Sequence, residues 1–190
     1  MIYLWTSPDS IKNKEVGCYD TEHSPDRFLL YDSIFLKTDV FAPAPQVEFI
    51  IPQKKVLAFD CLPNNARIPL VNTKVRTIIE ELAPNEVQFI NADLHCTDGT
   101  LSNTYFYINV LHAIKCLDHE KSVYTKIPGE EDILSFKHAA YKENALNGFH
   151  IARDIEYFVN LLVNEEIKAA FDEAKVTGVK LIPPEDVNWY

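Results

Sequence analysis

The chain has 190 residues, of which 47% are hydrophobic, and its 28 acidic and 18 basic side chains give a net charge of −10 at pH 7. This length and composition are typical of a folded domain that needs no disulfide or metal, and they exclude disordered, collagen-like and coiled-coil proteins. The charge opposes binding to nucleic acid or to an anionic membrane and favours a basic partner, although an acidic surface also serves solubility alone.

The N-terminal third of the chain shows weak periodicity. Residues 2–5 and 47–51 predict short strands, and the polar residues that follow Trp5 do not fit a signal peptide. No apolar run approaches the ~20 residues of a membrane-spanning helix, so we expect a cytoplasmic protein. A turn cluster at residues 62–65 separates an irregular N-terminal subregion, residues 1–66, from an α+β core, residues 67–190, and we expect the two to form one compact domain.

Residues 68–93 align with residues 160–185 without a gap, and each copy predicts a strand, an amphipathic helix and a second strand. Asn72 and Asn164 each precede the first apolar helix position by three residues, where an N-cap side chain accepts a hydrogen bond from a backbone N–H. Such similarity arises either from a true duplication or from two unrelated strand-helix-strand units that share the same local sequence preferences. The apolar stripes repeat at i, i+3, i+4 and i+7 in Val75, Ile78, Ile79 and Leu82, and again in Ile167, Ala170, Phe171 and Ala174.

The remaining segments complete the predicted fold. Residues 86–94, 104–108, 133–136 and 149–151 predict strands, and the apolar spacing over residues 110–117 predicts a short helix. Together these segments predict an α+β, or mixed α/β, domain in which the two strand-helix-strand copies pack together.

Signatures of catalysis or cofactor binding are absent from the sequence. Its five glycines are scattered, which excludes a phosphate-binding loop, and no serine lies in a nucleophile elbow. His95, Cys96, His112, Cys116 and His119 carry zinc-binding side chains, but their spacing matches no standard zinc motif. We therefore predict no catalytic residues, no metal and no cofactor.

Acidic residues gather in the segment around Tyr124. Such runs are often solvated loops, but on one face they would form a negative surface for a basic protein, with an aromatic anchor beside it. The predicted partner-binding residues are Asp118, Glu120, Tyr124, Glu130, Glu131 and Asp132.

Several strings in the C-terminal two thirds of the chain carry a family resemblance. They are Pro69-Leu70-Val71, Glu86-Val87-Gln88-Phe89, residues 105–111, residues 116–122 and Thr177-Gly178-Val179. Through these strings the chain resembles, over about residues 67–185, the immunity protein eleven family of bacterial polymorphic toxin systems, which was first catalogued as a domain of unknown function. One difference is that Phe149 and Arg153 are separated here, whereas many members have an aromatic-arginine strand.

The resemblance implies an immunity protein that binds and neutralises a cognate toxin, and no reaction of its own. Many such toxins are nucleases with basic grooves, so a chain of charge −10 would be steered to mask such a groove. One alternative is a small-molecule or regulatory binding domain with Tyr105 and Tyr107 in a pocket wall. Another is an enzyme that uses His95, His112 or His119 as a general base beside a carboxylate.

Overall fold

The structure, a computed structural model, describes residues 1–189 with the exception of the Thr38 side chain. Strand residues outnumber helical residues, which confirms a mixed α+β fold. The strands are β1 (Ile2–Thr6), β2 (Cys18–Tyr19), β3 (Gln46–Glu48), β4 (Cys61–Leu62), β5 (Leu70–Asn72), β6 (Val87–Cys96), β7 (Gly99–Val110), β8 (Ala113–Ile114), β9 (Val123–Lys126), β10 (Ile133–His138), β11 (Ile151–Asp154), β12 (Leu161–Asn164) and β13 (Lys180–Ile182). The α-helices are α1 (Gln53–Val56), α2 (Thr73–Leu82) and α3 (Glu165–Glu173).

Two large sheets and one hairpin make up the β-structure of the described residues. The first sheet has six strands in the order β2-β3-β6-β7-β5-β4, built around the long antiparallel hairpin β6-β7. The second has five strands in the order β13-β1-β12-β11-β8. Strands β9 and β10 pair only with each other. The N-terminal subregion supplies strands to both large sheets. The division into residues 1–66 and 67–190 within one compact domain stays a prediction.

The two sequence copies adopt the same strand-helix-strand arrangement. In the first, β5 and β6 run parallel with β7 between them, and in the second, β12 and β13 run parallel with β1 between them. The predicted caps form, because the Asn72 side chain accepts from the N–H of Val75 at 3.2 Å and the Asn164 side chain accepts from the N–H of Ile167 at 3.0 Å. Helices α2 and α3 contact each other, and their buried faces share one apolar cluster. This topology confirms the predicted packing of the two copies, and either origin of the similarity would produce it.

The helix expected over residues 110–117 is wrong. Val110 instead completes the pairing of β7 with Val87, and Ala113 in β8 pairs in parallel with Arg153 in β11. The carbonyl of His112 accepts from the Arg153 N–H at 2.8 Å. Pairing with strands distant in the sequence thus outweighs a local pattern of apolar residues.

The other strand predictions differ from the structure mainly at their ends. Residues 104–108 form only part of the longer β7, since the chain continues antiparallel along the whole of β6. β3 is shorter than the predicted 47–51, because the chain turns before Pro52 and α1. β11 includes Ile151 and extends to Asp154, beyond the predicted 149–151.

Candidate partner-binding surface

The predicted contact residues lie on or beside the β9-β10 hairpin. Its base is closed by Ser122, whose Oγ accepts from the N–H of Ala140 at 3.0 Å and donates to its carbonyl at 3.1 Å. Its inner face packs through Phe136, whose ring lies 5.1 Å from that of Tyr157 and 5.2 Å from that of Trp189. The hairpin is therefore attached to the body by side-chain packing and by its base, since no neighbouring strand pairs with it among the described residues.

The acidic residues occupy the two ends of this hairpin. Asp118 and Glu120 lie at its base, and Glu130, Glu131 and Asp132 form the turn that joins β9 to β10. The four residues of β9 lie between the two groups and by themselves span roughly 10 Å at the usual rise of a strand. The structure thus places these acids on one hairpin but as two separate groups.

Two of the five acids are engaged in local contacts. The Asp118 carboxylate accepts from the N–H of Glu120 at 3.1 Å and pairs with the Lys121 ammonium at 3.2 Å. Burial opposes ionisation of Asp118, but these bonds together lower the pKa of its carboxyl. Glu131 pairs with Lys126, and this hydrogen bond lowers the pKa of the Glu131 carboxyl.

The other three acids, Glu120, Glu130 and Asp132, are exposed and form no ion pair with any described residue. Their charges face solvent without a neighbouring cation to neutralise them. They are therefore the acids of this hairpin whose charge is most available to a partner.

Tyr124 lies on the inner side of the hairpin and is half-buried. Its ring packs edge-on against Phe136, and its hydroxyl lies 2.9 Å from Nδ1 of His119. Nε2 of His119 in turn lies 2.8 Å from a carboxylate oxygen of Glu156. Tyr124 thus connects the hairpin to the segment that follows β11 more than it projects outward.

Exposed apolar residues accompany the acids, and sequence reasoning did not single them out. Val123 and Leu134 on the hairpin are 53% and 56% exposed, and the loop of residues 155–159 exposes Ile155, Phe158 and Val159. Strand alternation could have found Val123, which precedes the half-buried Tyr124 in β9. It could not have found Leu134, because β10 has a register irregularity that leaves Leu134 exposed although Phe136, two residues on, is buried. Apolar side chains beside charged ones are the composition of a protein-binding surface.

The model of the Imm11 immunity protein family matches residues 14–186 of the 190. The chain belongs to the Imm11 family. The match begins well before residue 67, so the resemblance extends into the N-terminal third, where sequence strings alone did not show it. No curated protein shows a significant match to the chain.

The alternative hypothesis for this Imm11 protein placed a small-molecule pocket beside Tyr105 and Tyr107. The structure contradicts this location. Tyr105 and Tyr107 are 1% and 0% exposed and belong to the core of the six-stranded sheet. The Tyr105 hydroxyl donates to the backbone carbonyl of Phe59 at 2.7 Å. Their alternation along β7 directs both side chains into this core, where they are not exposed to a ligand at the surface.

The histidines of this Imm11 protein have different surroundings. His95 lies 3.1 Å from the Thr100 hydroxyl, and the His112 ring stacks on Phe149 at 3.9 Å. Of the three histidines considered as general bases, His119 alone lies beside a carboxylate among the described residues, that of Glu156. His119 does not line either of the two cavities that Arg67 borders, which have volumes of about 330 and 650 Å³. No group of three or more His, Cys, Asp or Glu side chains in residues 1–189 is placed to hold a metal ion, and no helix there is long and apolar enough to cross a membrane.

Proposed function

We propose that this chain neutralises a cognate bacterial toxin by binding it, and that it acts by occupying the toxin and not by catalysis. The observation that carries the proposal is the match to the Imm11 immunity protein family over residues 14–186. An inhibitor that works by occupation needs a complementary surface and no nucleophile, and the hairpin offers such a surface.

We place the contact on the hairpin surface, defined as the outer side of residues 118–138. Its segment 118–132 carries five acids and two lysines, so its charge is 2 − 5 = −3. Charges of this kind at a rim accelerate the encounter with a basic partner, while the exposed Val123 and Leu134 supply apolar area that a partner can bury. In this proposal the toxin presents a basic groove, such as that of a nuclease.

The charge contribution is tested by reversing the acids that lack ion pairs. The variant Glu120→Lys, Glu130→Lys, Asp132→Lys should reduce the association rate with the toxin domain about tenfold or more at low ionic strength, and less at high salt. If the coding region immediately upstream specifies a large secreted protein with a variable C-terminal domain, that domain is the toxin to use, with protection of co-expressing cells as the second readout.

The matched control reverses Glu22, Glu81 and Glu173, which are exposed, form no ion pair with any described residue and lie outside the hairpin and its base. Glu81 and Glu173 lie in the last turns of α2 and α3, where a lysine suits the helix dipole. This control should leave association within about twofold of the wild type, because only the total charge changes. Equal slowing in both variants, or none in either, contradicts our placement of the interface.

Two further experiments test the contribution of the apolar residues to binding and the masking of the toxin's groove. Leu134→Arg places a charge on the exposed side of β10 and should raise the dissociation rate of the complex, with the fold unchanged. If the toxin is a nuclease, a nucleic acid that fills its groove should compete with this chain for binding. Simultaneous binding of both would contradict masking of the groove.

A further inference from the structure

Three of the four arginines in this acidic chain gather around one tyrosine. Arg27 and Arg67 line the same cavity as Tyr31, and the guanidinium carbon of Arg153 lies 4.7 Å from the centre of the Tyr31 ring. All three oppose the rise in the Tyr31 pKa that burial causes. Such a concentration of positive charge has to be explained in a chain of net charge −10.

Arg153 is fully buried and only partly hydrogen-bonded. Its side chain donates through Nη1 to the Phe158 carbonyl at 3.0 Å, whereas its Nε and Nη2 have no partner among the described residues. Asp154 cannot neutralise it, because successive strand residues point to opposite faces and the Asp154 carboxylate accepts from Tyr141 instead. A buried guanidinium without a carboxylate is costly, so stability does not account for Arg153 and another role is indicated.

The open cavity bounded by Tyr31 and Phe158, the two residues that Arg153 contacts, has the size and walls of a small-molecule site. Its volume is about 650 Å³, and Phe28, Phe158 and Val159 line it together with Tyr31. Sites for small molecules are usually of this size and mainly apolar, with a few polar groups that fix the orientation of the ligand. We call this cavity the arginine pocket.

The two arginines at the entrance are free of acidic partners in the described part of the chain. Arg27 donates to the Asn65 carbonyl at 3.2 Å, and no ion pair to Arg27 or Arg67 is formed there. The backbone of Arg67 has a φ of 55°, a conformation that residues other than glycine rarely adopt. It also lines an adjoining cavity of about 330 Å³. Asp32 is the one acid among the residues that line the arginine pocket.

We propose that the arginine pocket binds a small organic anion, a carboxylate or sulfonate attached to an apolar body. The planar guanidinium groups of Arg27 and Arg67 suit the paired oxygens of such an anion. Arg153 does not line the pocket, but its positive charge lies against the ring of Tyr31, which does. Phe28 and Phe158 receive the apolar body. This site is independent of the hairpin surface and of any toxin.

The test uses two fluorescent probes that differ in one charged group. 8-Anilinonaphthalene-1-sulfonate carries a sulfonate, and N-phenyl-1-naphthylamine has the same rings without it. The wild-type chain should bind the sulfonate at one saturable site at least tenfold more tightly than the neutral probe. The variant Arg27→Gln, Arg67→Gln should lose at least tenfold in affinity for the sulfonate and keep its affinity for the neutral probe.

The fourth arginine provides the matched control. Arg76 is partly exposed on α2 and lies over the rings of Phe89 and Phe106, at 5.4 and 4.7 Å. It therefore offers a second combination of arginine and aromatic rings outside the arginine pocket. Arg76→Gln should leave the affinity for the sulfonate probe unchanged, and a loss equal to that of the double variant would overturn the assignment.

Competition identifies which part of the ligand is recognised. Octanoate should displace the bound sulfonate probe, whereas octanol and inorganic phosphate at the same concentration should not. Displacement by octanol would show an apolar surface without anion recognition, and displacement by phosphate would show a charged surface without an apolar body. Either result overturns the proposal, as does a double variant that is folded by circular dichroism and binds the probe like the wild type.

Discussion

Replacement of Arg153 by methionine tests whether this buried arginine stabilises the fold. Methionine fills much of the same space and can contact the Tyr31 ring through its sulfur, but it carries no charge. If the arginine were held in a satisfied ion pair, its removal would cost about 3 to 5 kcal/mol. We expect a much smaller change.

The magnitude follows from the surroundings of the guanidinium. Burial lowers the pKa of Arg153 from 12.5 to about 10. This difference of 12.5 − 10 = 2.5 pKa units means that keeping the buried guanidinium charged costs roughly 3 kcal/mol. The variant recovers this amount. It loses the hydrogen bond to the Phe158 carbonyl and the contact of the cation with Tyr31, together roughly 3 kcal/mol. The net change in the free energy of unfolding should be within about 1.5 kcal/mol of zero.

Urea denaturation and thermal unfolding measure this change. For a chain of this length the Tm should shift by no more than about 5 °C. Arg153→Ala is the control, because it also removes the charge but leaves a cavity, and it should be less stable than the methionine variant by about 2 kcal/mol. A loss of 3 kcal/mol or more in the methionine variant would refute the reasoning and make Arg153 a structural residue.

Three further predictions concern the fold. Asn164→Ala should lower the free energy of unfolding by about 1 kcal/mol, because it removes the N-cap of α3. Asn72→Ala should lower it by more, because Asn72 caps α2 and also donates to the Asp60 carboxylate. Urea denaturation of both variants measures the two losses, and equal losses would contradict the ranking. Burial raises the pKa of Asp154 from 3.8 to about 6, so its ionisation costs stability above that range. The gain in stability of Asp154→Asn over the wild type should therefore grow by roughly 2 kcal/mol from pH 4 to pH 7, and a constant difference would contradict it. Gly178→Ala should cost about 3 kcal/mol or more, because φ is 81° and a Cβ would lie 1.9 Å from a backbone carbonyl oxygen, and an unchanged Tm would contradict it.

Part of the candidate surface could be predicted from the sequence. The acids that follow one another around Tyr124 necessarily lie near each other, because they are close along the chain. The pairing of Glu131 with Lys126 depends on the hairpin turn, and the half-burial of Tyr124 depends on packing against Phe136. Which acids remain available to a partner was therefore decided by the fold.

The arginine pocket could not be predicted in the same way. Arg27, Arg67 and Arg153 are separated by tens of residues, and no local pattern relates them. Their convergence depends on which face of β11 is turned toward Tyr31. An alternating strand allows either face, and the surrounding sheet selects one of them.

The sequence by itself determined the features that depend on neighbours within one or two helical turns. These are the asparagine caps, the apolar stripes of α2 and α3, and the repetition of the strand-helix-strand unit, because capping and helical periodicity act over three or four residues. The tertiary structure decided what depends on distant partners. Residues 110–117 became the end of β7 and the short β8 because Val87 and Arg153 pair with them, and a strand obtains its hydrogen bonds from another part of the chain.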